Sequence, residues 1–358
     1  MCFYACNNAS AVNVNDLMEI IEKPTNTHEQ VLIARDAATG YHGIIAIHST
    51  ALGPAVGGTR FWNYATEADA LTDALRLSRG MTYKNALPGL PLGGGKSIII
   101  GDNKAANREA LLRVHGRFVE TLKGRYITAE DVGTSPADMA IMRQETRYVG
   151  GLLNGSGDPS PHTARGVFRA IQAAHKFRFS TGDLHGVTVA LQGCGHVGYY
   201  LASLLHAVGA KLIVTDVNER NVARVVDEFA AERVAIGEIF SVPADVFAPC
   251  ALGGIINDQT IPQLKVQIVV GAANNQLLEE HHGAMLRERN ILYAPDYVAN
   301  AGGILNGCIE LLGWQPQHAL AKVDEIYDTL LRIFKTAQAQ DLSTNAAADR
   351  LAEKRLAR

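Results

Sequence analysis

Several features that would mark a protein class are missing from this chain. Its five cysteines, Cys2, Cys6, Cys194, Cys250 and Cys308, form no CxxC pair and are scattered over 358 residues, which argues against a disulfide framework or a zinc knuckle and for a reducing, cytoplasmic setting. The twelve histidines include no HExxH, and the adjacent His281 and His282 would point in different directions on a regular helix, so no metal is expected. Charge is nearly balanced, 33 basic against 36 acidic residues for a net −3, without the basic run that a phosphate-neutralising surface needs. Nucleic acid is therefore not an expected partner. The longest apolar runs, such as Ser97-Ile98-Ile99-Ile100, are of strand length rather than the ~20 residues that span a bilayer, and the amino terminus lacks the basic-then-apolar order of a signal peptide. No membrane association is expected.

What is present is ordinary globular composition, 47% hydrophobic and 19% charged with 34 glycines, at about twice the length of one domain. Two domains sharing a cleft follow. Residues 1–16 show no sustained period and read as a loosely packed extension. From Val31 to His48, VLIAR and GIIAIH flank Thr39-Gly40 as paired strands do. Thr66 to Gly80 reads as a helix, capped by Thr66 with Asp69 three residues on and stopped by Gly80; a second runs from Asn107 to Leu122. GGLLNGSGDPSP, from Gly150 to Pro161, has the composition of an interdomain connection, so one domain is placed at 17–150 and the next at 151–330. Beyond it, apolar strands alternate with helices, as in a parallel sheet wound with helices. Helices at about 316–340 and 344–357 have no sheet of their own, and residues 331–358 are expected to pack back on the first domain.

Four stretches carry chemistry. The first is Gly193-Cys194-Gly195-His196-Val197-Gly198, between strand VTVALQ and a helix, with Asp216 ending the next strand. There Gly193 permits a tight turn, Gly195 admits a pyrophosphate to the backbone and Gly198 lets helix and strand pack, while Asp216 would accept from a ribose 2′-OH and repel a 2′-phosphate, favouring NAD over NADP. The alternative is a plain glycine turn with a surface aspartate. The second stretch holds Lys84 and Lys96 among apolar residues and glycines, with three glycines preceding Lys96. Buried lysines lose protons readily and would offer a neutral amine; solvated loop lysines are the plainer reading. In the third, Thr128-Ala129-Glu130-Asp131, Asp131 is either a cap or turn residue or, if it faces the lysines, a proton shuttle. The fourth comprises Gly271-Ala272-Ala273-Asn274-Asn275 and Asn300-Ala301-Gly302-Gly303, which follow strand-like runs and are either turns or amides that orient a nicotinamide.

Taken together, GPAVGGTR, GMTYKNA, LGGGKS, TAEDVGT, GCGHVG, FAPCALGG, GAANNQL and YAPDYVANAGG resemble the amino-acid dehydrogenase family of leucine, valine, phenylalanine and glutamate dehydrogenases, from about Glu19 to the end. The likeness is greatest to the leucine and valine members. It implies an α/β fold with a mixed-sheet substrate and oligomerisation domain, a Rossmann doubly wound NAD-binding domain, and a homo-oligomer, octamer or dimer. The implied reaction is NAD-dependent oxidative deamination of an L-amino acid to its 2-oxo acid and ammonium. The resemblance also implies residue roles. Lys84 would pair with the substrate carboxylate, assisted by the Gly57-Gly58 loop and Met81, Lys96 would activate water, and Asp131 would exchange protons with the amine. Asn300 would place substrate and nicotinamide, with Thr163, Ala272 and Asn274 on the cofactor side and Val217 beside Asp216. Val56, Ala129, Ile304 and Gly307 would line the side-chain pocket.

Val56 stands where glutamate-using relatives carry a lysine, so an apolar side chain is favoured: leucine, with valine and isoleucine. Gly307 stands where the leucine pattern has a valine, which leaves phenylalanine or tryptophan open. Two other classes are weighed against this enzyme. A catalytically silent NAD-binding sensor would be marked by loss of a lysine or of Asp131, and all three are present. A 2-hydroxy acid dehydrogenase would need a histidine base with an acidic partner and an arginine clamp; His196 lies inside the glycine turn, and no other histidine has a suitable context.

Overall fold

A computed structural model describes residues 18–152 and 155–357; the expected extension at 1–16 lies outside them. The first unit contains β1 (Met18–Glu22), β2 (Gln30–Asp36), β3 (Tyr41–Ser49), β4 (Ala55–Trp62), α1 (Glu67–Ala86), β5 (Gly93–Ile100), α2 (Arg108–Thr121), β6 (Tyr126–Glu130) and α3 (Pro136–Met142). Its sheet runs β1-β2-β3-β5-β4-β6 and is mixed: β1, β2, β3 and β5 pair antiparallel, while β4 lies parallel to both β5 and β6.

The second unit contains α4 (Ser160–Phe179), β7 (Thr188–Gln192), α5 (His196–Ala207), β8 (Lys211–Thr215), α6 (Glu219–Phe229), β9 (Glu232–Arg233), β10 (Val246–Pro249), β11 (Ile268–Val269), α7 (His282–Glu288), β12 (Leu292–Tyr293), α8 (Asp296–Ala299) and α9 (Gly302–Leu312). Its sheet is parallel throughout, in the order β12-β11-β10-β7-β8-β9. The switch of strand order beside β7 opens a crevice at the strand carboxyl ends, where such sheets take ligands. The expected two-domain α/β architecture is present.

Three expectations fail for physical reasons. Gly80 does not stop α1, which continues to Ala86; Thr82, Tyr83, Asn85 and Ala86 are buried, and their packing offsets a helical glycine that costs about 1 kcal/mol. Pro88 then follows and has no N–H with which to extend the helix. Gly57 and Gly58 lie within β4 rather than in a loop. Finally, the helix expected at 316–340 is two, α10 (Pro316–Asp324) and α11 (Ile326–Gln340), followed by α12 (Thr344–Leu356).

The boundary placed at 331 therefore cuts α11, whose buried stripe of Leu330, Ile333, Phe334 and Ala337 needs an apolar partner and finds it on α4 of the second unit, with the Phe177 and Phe334 ring centroids 5.4 Å apart. Only α12 returns to the first unit. It covers α1 through Ala352, which packs with Tyr83 and Ala86, and through Glu353, which accepts a 2.9 Å hydrogen bond from the Tyr83 hydroxyl.

Candidate active site

Alternation along three parallel strands builds one wall of the cleft. The register sets Val56 beside Gly94 and Ile127, Gly58 beside Ala129, and Arg60 beside Ile98. Lys96, two residues before Ile98, shares that face, and Asp131 continues the row just past β6. Gly58 is the gap that lets the row close, since a Cβ there would stand 2.4 Å from the Glu130 carbonyl oxygen and 2.8 Å from the Asp131 Cβ.

Asp131 collects two cations on one oxygen, the Lys96 ammonium at 2.9 Å and the Arg60 Nε at 2.9 Å; Arg60 also donates to Asp73 at 2.7 Å. Burial opposes ionisation of Asp131, but Lys96 and Arg60 outweigh it and hold the carboxyl below its usual range. Lys96 is 4% exposed, and burial lowers its pKa although Asp131 pulls the other way.

The helix α1 carries Lys84 over β5, and glycine permits the approach: a Cβ on Gly94 would lie 2.0 Å from the Thr82 backbone nitrogen. The glycines before Lys96 thus receive the protein's own helix and, at Gly95, the Tyr126 ring. Met81 precedes Lys84 by one turn and shares its face. Burial, helped by the Lys96 charge and opposed by Asp296, lowers the Lys84 pKa to about 8. Asp296, at the start of α8 in the second unit, is itself buried, accepting from the backbone of Gln276 at 3.0 Å and Tyr297 at 2.9 Å.

Across the cleft the glycine turn has the shape of a dinucleotide cradle. Gly193 has φ +98, and Gly198 abuts it so closely that a Cβ would come within 1.9 Å of the Gly193 carbonyl oxygen. Above Gly195 there is open space, with nothing within 4 Å of a Cβ, and this residue caps α5 without a side-chain bond. The first N–H groups of α5 are thus open to a phosphate. His196 and Val197 begin the helix. Asp216, just beyond β8, accepts from the Cys194 N–H at 2.6 Å and the Asn218 N–H at 2.8 Å, leaving further lone pairs on both oxygens, and Val217 is 84% exposed beside it. Cys194 is buried, and burial pushes its thiol up to about 12, so it is inert.

Asn300 donates to the Ala272 carbonyl at 3.1 Å and the Asn274 side chain at 2.8 Å, and its own Oδ1 is buried without a partner, an acceptor that a bound carboxamide would satisfy. These residues fit NAD. The start of α9 meets that of α4: a Cβ on Gly302 would lie 2.0 Å from the His162 carbonyl oxygen, and one on Gly303 3.0 Å from the Thr163 hydroxyl. Ile304 comes next and Gly307 one turn on; among the described residues a Cβ on Gly307 would meet only Ile304 and Leu311 methyls at 4.0 Å.

Comparison with known proteins agrees with this geometry. Residues 26–148 match the model of the Glu/Leu/Phe/Val dehydrogenase dimerisation domain, and residues 214–358 match that of the Glutamate/Leucine/Phenylalanine/Valine dehydrogenases. The chain belongs to this family. It is 54% identical over 335 residues to leucine dehydrogenase of Geobacillus stearothermophilus, covering 93% of this chain and 91% of that one. Phenylalanine dehydrogenase of Lysinibacillus sphaericus is 46% identical over 345 residues, 94% of this chain and 90% of the relative. The crystal structure of L-tryptophan dehydrogenase from Nostoc punctiforme superposes with a TM-score of 0.84 at 48% identity, covering 92% of this chain and 96% of that one. The protein is an amino-acid dehydrogenase, and its cofactor is NAD.

The dehydrogenase brings Lys84, Met81, Lys96, Asp131, Gly58 and Ala129 to one wall. Val56 is on the same strand face but sunk to 1% exposure in the apolar cluster of Leu90 and Leu92, against which Ile304 and Leu311 pack. Gly57 faces away, its Cβ position 1.7 Å from the Gly95 carbonyl oxygen. Sequence reasoning missed Arg60, Asp73 and Asp296. Arg60 was within reach, two residues beyond Gly58 on an alternating strand; the other two gave no local signal. It also missed the layer beneath, where the Thr59 hydroxyl meets Ser97 at 2.8 Å, Thr128 at 2.6 Å and His115 at 3.2 Å.

Proposed function

We propose that this dehydrogenase catalyses reversible oxidative deamination of a branched-chain L-amino acid, leucine with valine and isoleucine, to the 2-oxo acid and ammonium. The observation that supports it most is the grouping of Lys84, Lys96 and Asp131 on one wall, opposite the glycine cradle and Asn300. The Lys84 ammonium pairs with the substrate carboxylate and, with Asn300, fixes the Cα–H bond toward the cofactor side, which is catalysis by positioning. NAD, when bound, takes up the hydride from Cα. Asp131, kept ionised by Lys96 and Arg60, accepts a proton from the substrate ammonium. Once protonated, Asp131 no longer holds the Lys96 ammonium, which gives its proton to solvent. Neutral Lys96 then draws a proton from the water that adds to the imine carbon, and Asp131 returns its proton to the departing ammonia, which leaves as ammonium with the carbinol hydroxyl proton. Asp216 receives the ribose 2′-OH and would repel a 2′-phosphate, which selects NAD over NADP. The protein acts as a homo-oligomer, an octamer or a dimer.

Val56, Ala129, Ile304 and Gly307 would line the side-chain pocket, with no cation for a side-chain carboxylate. A second reading, the same reaction on phenylalanine or tryptophan, is favoured by the space at Gly307. The test is NADH formation at 340 nm with a panel of L-amino acids and 2-hydroxy acids, with NAD and NADP in parallel. Turnover of leucine, valine and isoleucine with NAD is expected, and its loss in Lys96→Ala with cofactor binding intact. Turnover of hydroxy acids alone would overturn the assignment.

A further inference from the structure

Two loops of the second unit are laced together beyond the strand ends. The Gly254 N–H donates to the Asn275 carbonyl at 2.7 Å, Ile256 to Gln276 at 2.9 Å and Leu278 to Ile256 at 3.0 Å. Where these loops next converge, Asp258 faces His281 and His282. The two rings do not diverge as they would on a regular helix: His281 is the residue before α7, and the ring centroids lie 4.1 Å apart.

We propose that Asp258, His281 and His282 bind a divalent transition-metal ion of the zinc type. One carboxylate oxygen and one nitrogen of each ring lie within 4.8 Å of one another. His282 is 1% exposed and its Nε2 is buried without a hydrogen-bond partner among the described residues. That nitrogen stands 3.6 Å from Asp258 Oδ1, too far for a hydrogen bond. Two ligands each roughly 2.1 Å from a tetrahedral ion would be about 3.4 Å apart, so the His282–Asp258 pair is nearly in place and a cluster spanning up to 4.8 Å would close by about 1.4 Å at most. Glu279 serves both rings: its carbonyl lies 3.1 Å from His282 Nδ1 and its carboxylate 3.3 Å from His281 Nδ1. The Glu279 N–H also points at His282 Nδ1, at 3.0 Å, so this nitrogen can accept from the N–H or donate to the carbonyl. An ion on Nε2 selects the second tautomer, with Nδ1–H on the carbonyl and Nε2 unprotonated toward Asp258, the outer-shell arrangement that orients a metal-bound imidazole. Two imidazoles and one carboxylate suit zinc, cobalt, nickel or copper rather than calcium or magnesium. Asp258 and His281 are exposed, which gives the ion an entry path and leaves its remaining position to water. A bound ion would clamp the loop that continues from Asn274 to Gln276.

The full-length protein, stripped with chelator, is titrated with Zn2+ by calorimetry and with Co2+ by visible absorption. One ion per chain is expected, with a rise in Tm that EDTA reverses. His281→Ala and Asp258→Ala replace exposed side chains outside the reaction machinery, so folding is not at risk. Each should weaken binding at least tenfold, and the double variant should lose both the cobalt spectrum and the Tm response. The proposal is overturned if the wild type binds no more zinc than the double variant.

Discussion

Lys84 shows how a side chain can be tuned by where it is buried. Burial takes its pKa from 10.5 to about 8, with the opposing pull of Asp296 not enough to restore it. Because the folded value lies below the unfolded one, the native state is penalised while it must hold the charge, at pH below 8, and relieved as pH rises from 8 to 10.5. The stability of the ligand-free wild type should therefore rise relative to Lys84→Met across that window, measured by urea unfolding at a series of pH values. Binding has the opposite slope. As Lys84 loses its proton above pH 8, kcat/KM should fall while kcat holds, since a bound carboxylate keeps the ammonium charged. A fall in kcat of the same size would remove Lys84 from carboxylate binding. Gly307 supplies the complementary test of the pocket. A valine there finds only methyls at 4.0 Å, so Gly307→Val should fold and raise the preference for leucine over phenylalanine by about 10–200-fold, the range one or two methylenes command. An unchanged ratio would show that the position does not face the substrate side chain.

Glycines that look alike in sequence do opposite things in the elements that hold them. Gly80 sits inside α1 with open space around it, whereas Gly94 sits in β5 under the Thr82 backbone. Gly80→Ala should stabilise by about 1 kcal/mol through helix propensity. Gly94→Ala should cost ~1–3 kcal/mol or more by overpacking, and by pushing α1 outward it should raise KM for the amino acid through Lys84. Thermal unfolding and initial rates on the two variants separate these effects. The same contrast explains what was legible in the sequence. The strand-turn-helix around Gly193 to Gly198 and the acid at Asp216 are local in sequence, so their pattern could be read. Lys96, Asp131 and Arg60 come together only through the pairing of β5, β4 and β6, a register set by the whole sheet; without it Asp131 could equally have been a cap. Gly80 misled because a glycine stops a helix only when no packing carries the helix past it, and the burial of Tyr83 and Ala86 was not visible. His281 and His282 misled because α7 begins only at His282 and His281 lies just outside it, so the divergence expected of two helical neighbours did not follow.

At the scale of the molecule, the two units meet where α12 and the loop at Glu280 close on α1. Arg79 is the joint. It reaches Glu280 at 3.1 Å and Asp349 at 3.2 Å, and its guanidinium lies 4.7 Å from the centre of the Tyr83 ring. Tyr83 lies one residue before Lys84, so the contact that joins the units also sets the turn of α1 that carries the proposed carboxylate partner. Each partly exposed pair of this kind is worth only ~0.2–1 kcal/mol, so Arg79→Ala should fold and lose little in Tm. Its effect should appear instead in chemistry, because in the proposed reading the Cα of the substrate is held by one unit and the nicotinamide by the other, and a shift on the order of 1 Å costs about 10²-fold in rate. The expected result is a large fall in kcat with the Kd for NAD unchanged, since the cradle at Gly193 to Gly198 follows β7, three strands across the sheet from β12, on which α12 packs. Equal losses in NAD affinity and kcat would mean that Arg79 supports the second unit itself rather than its angle to the first.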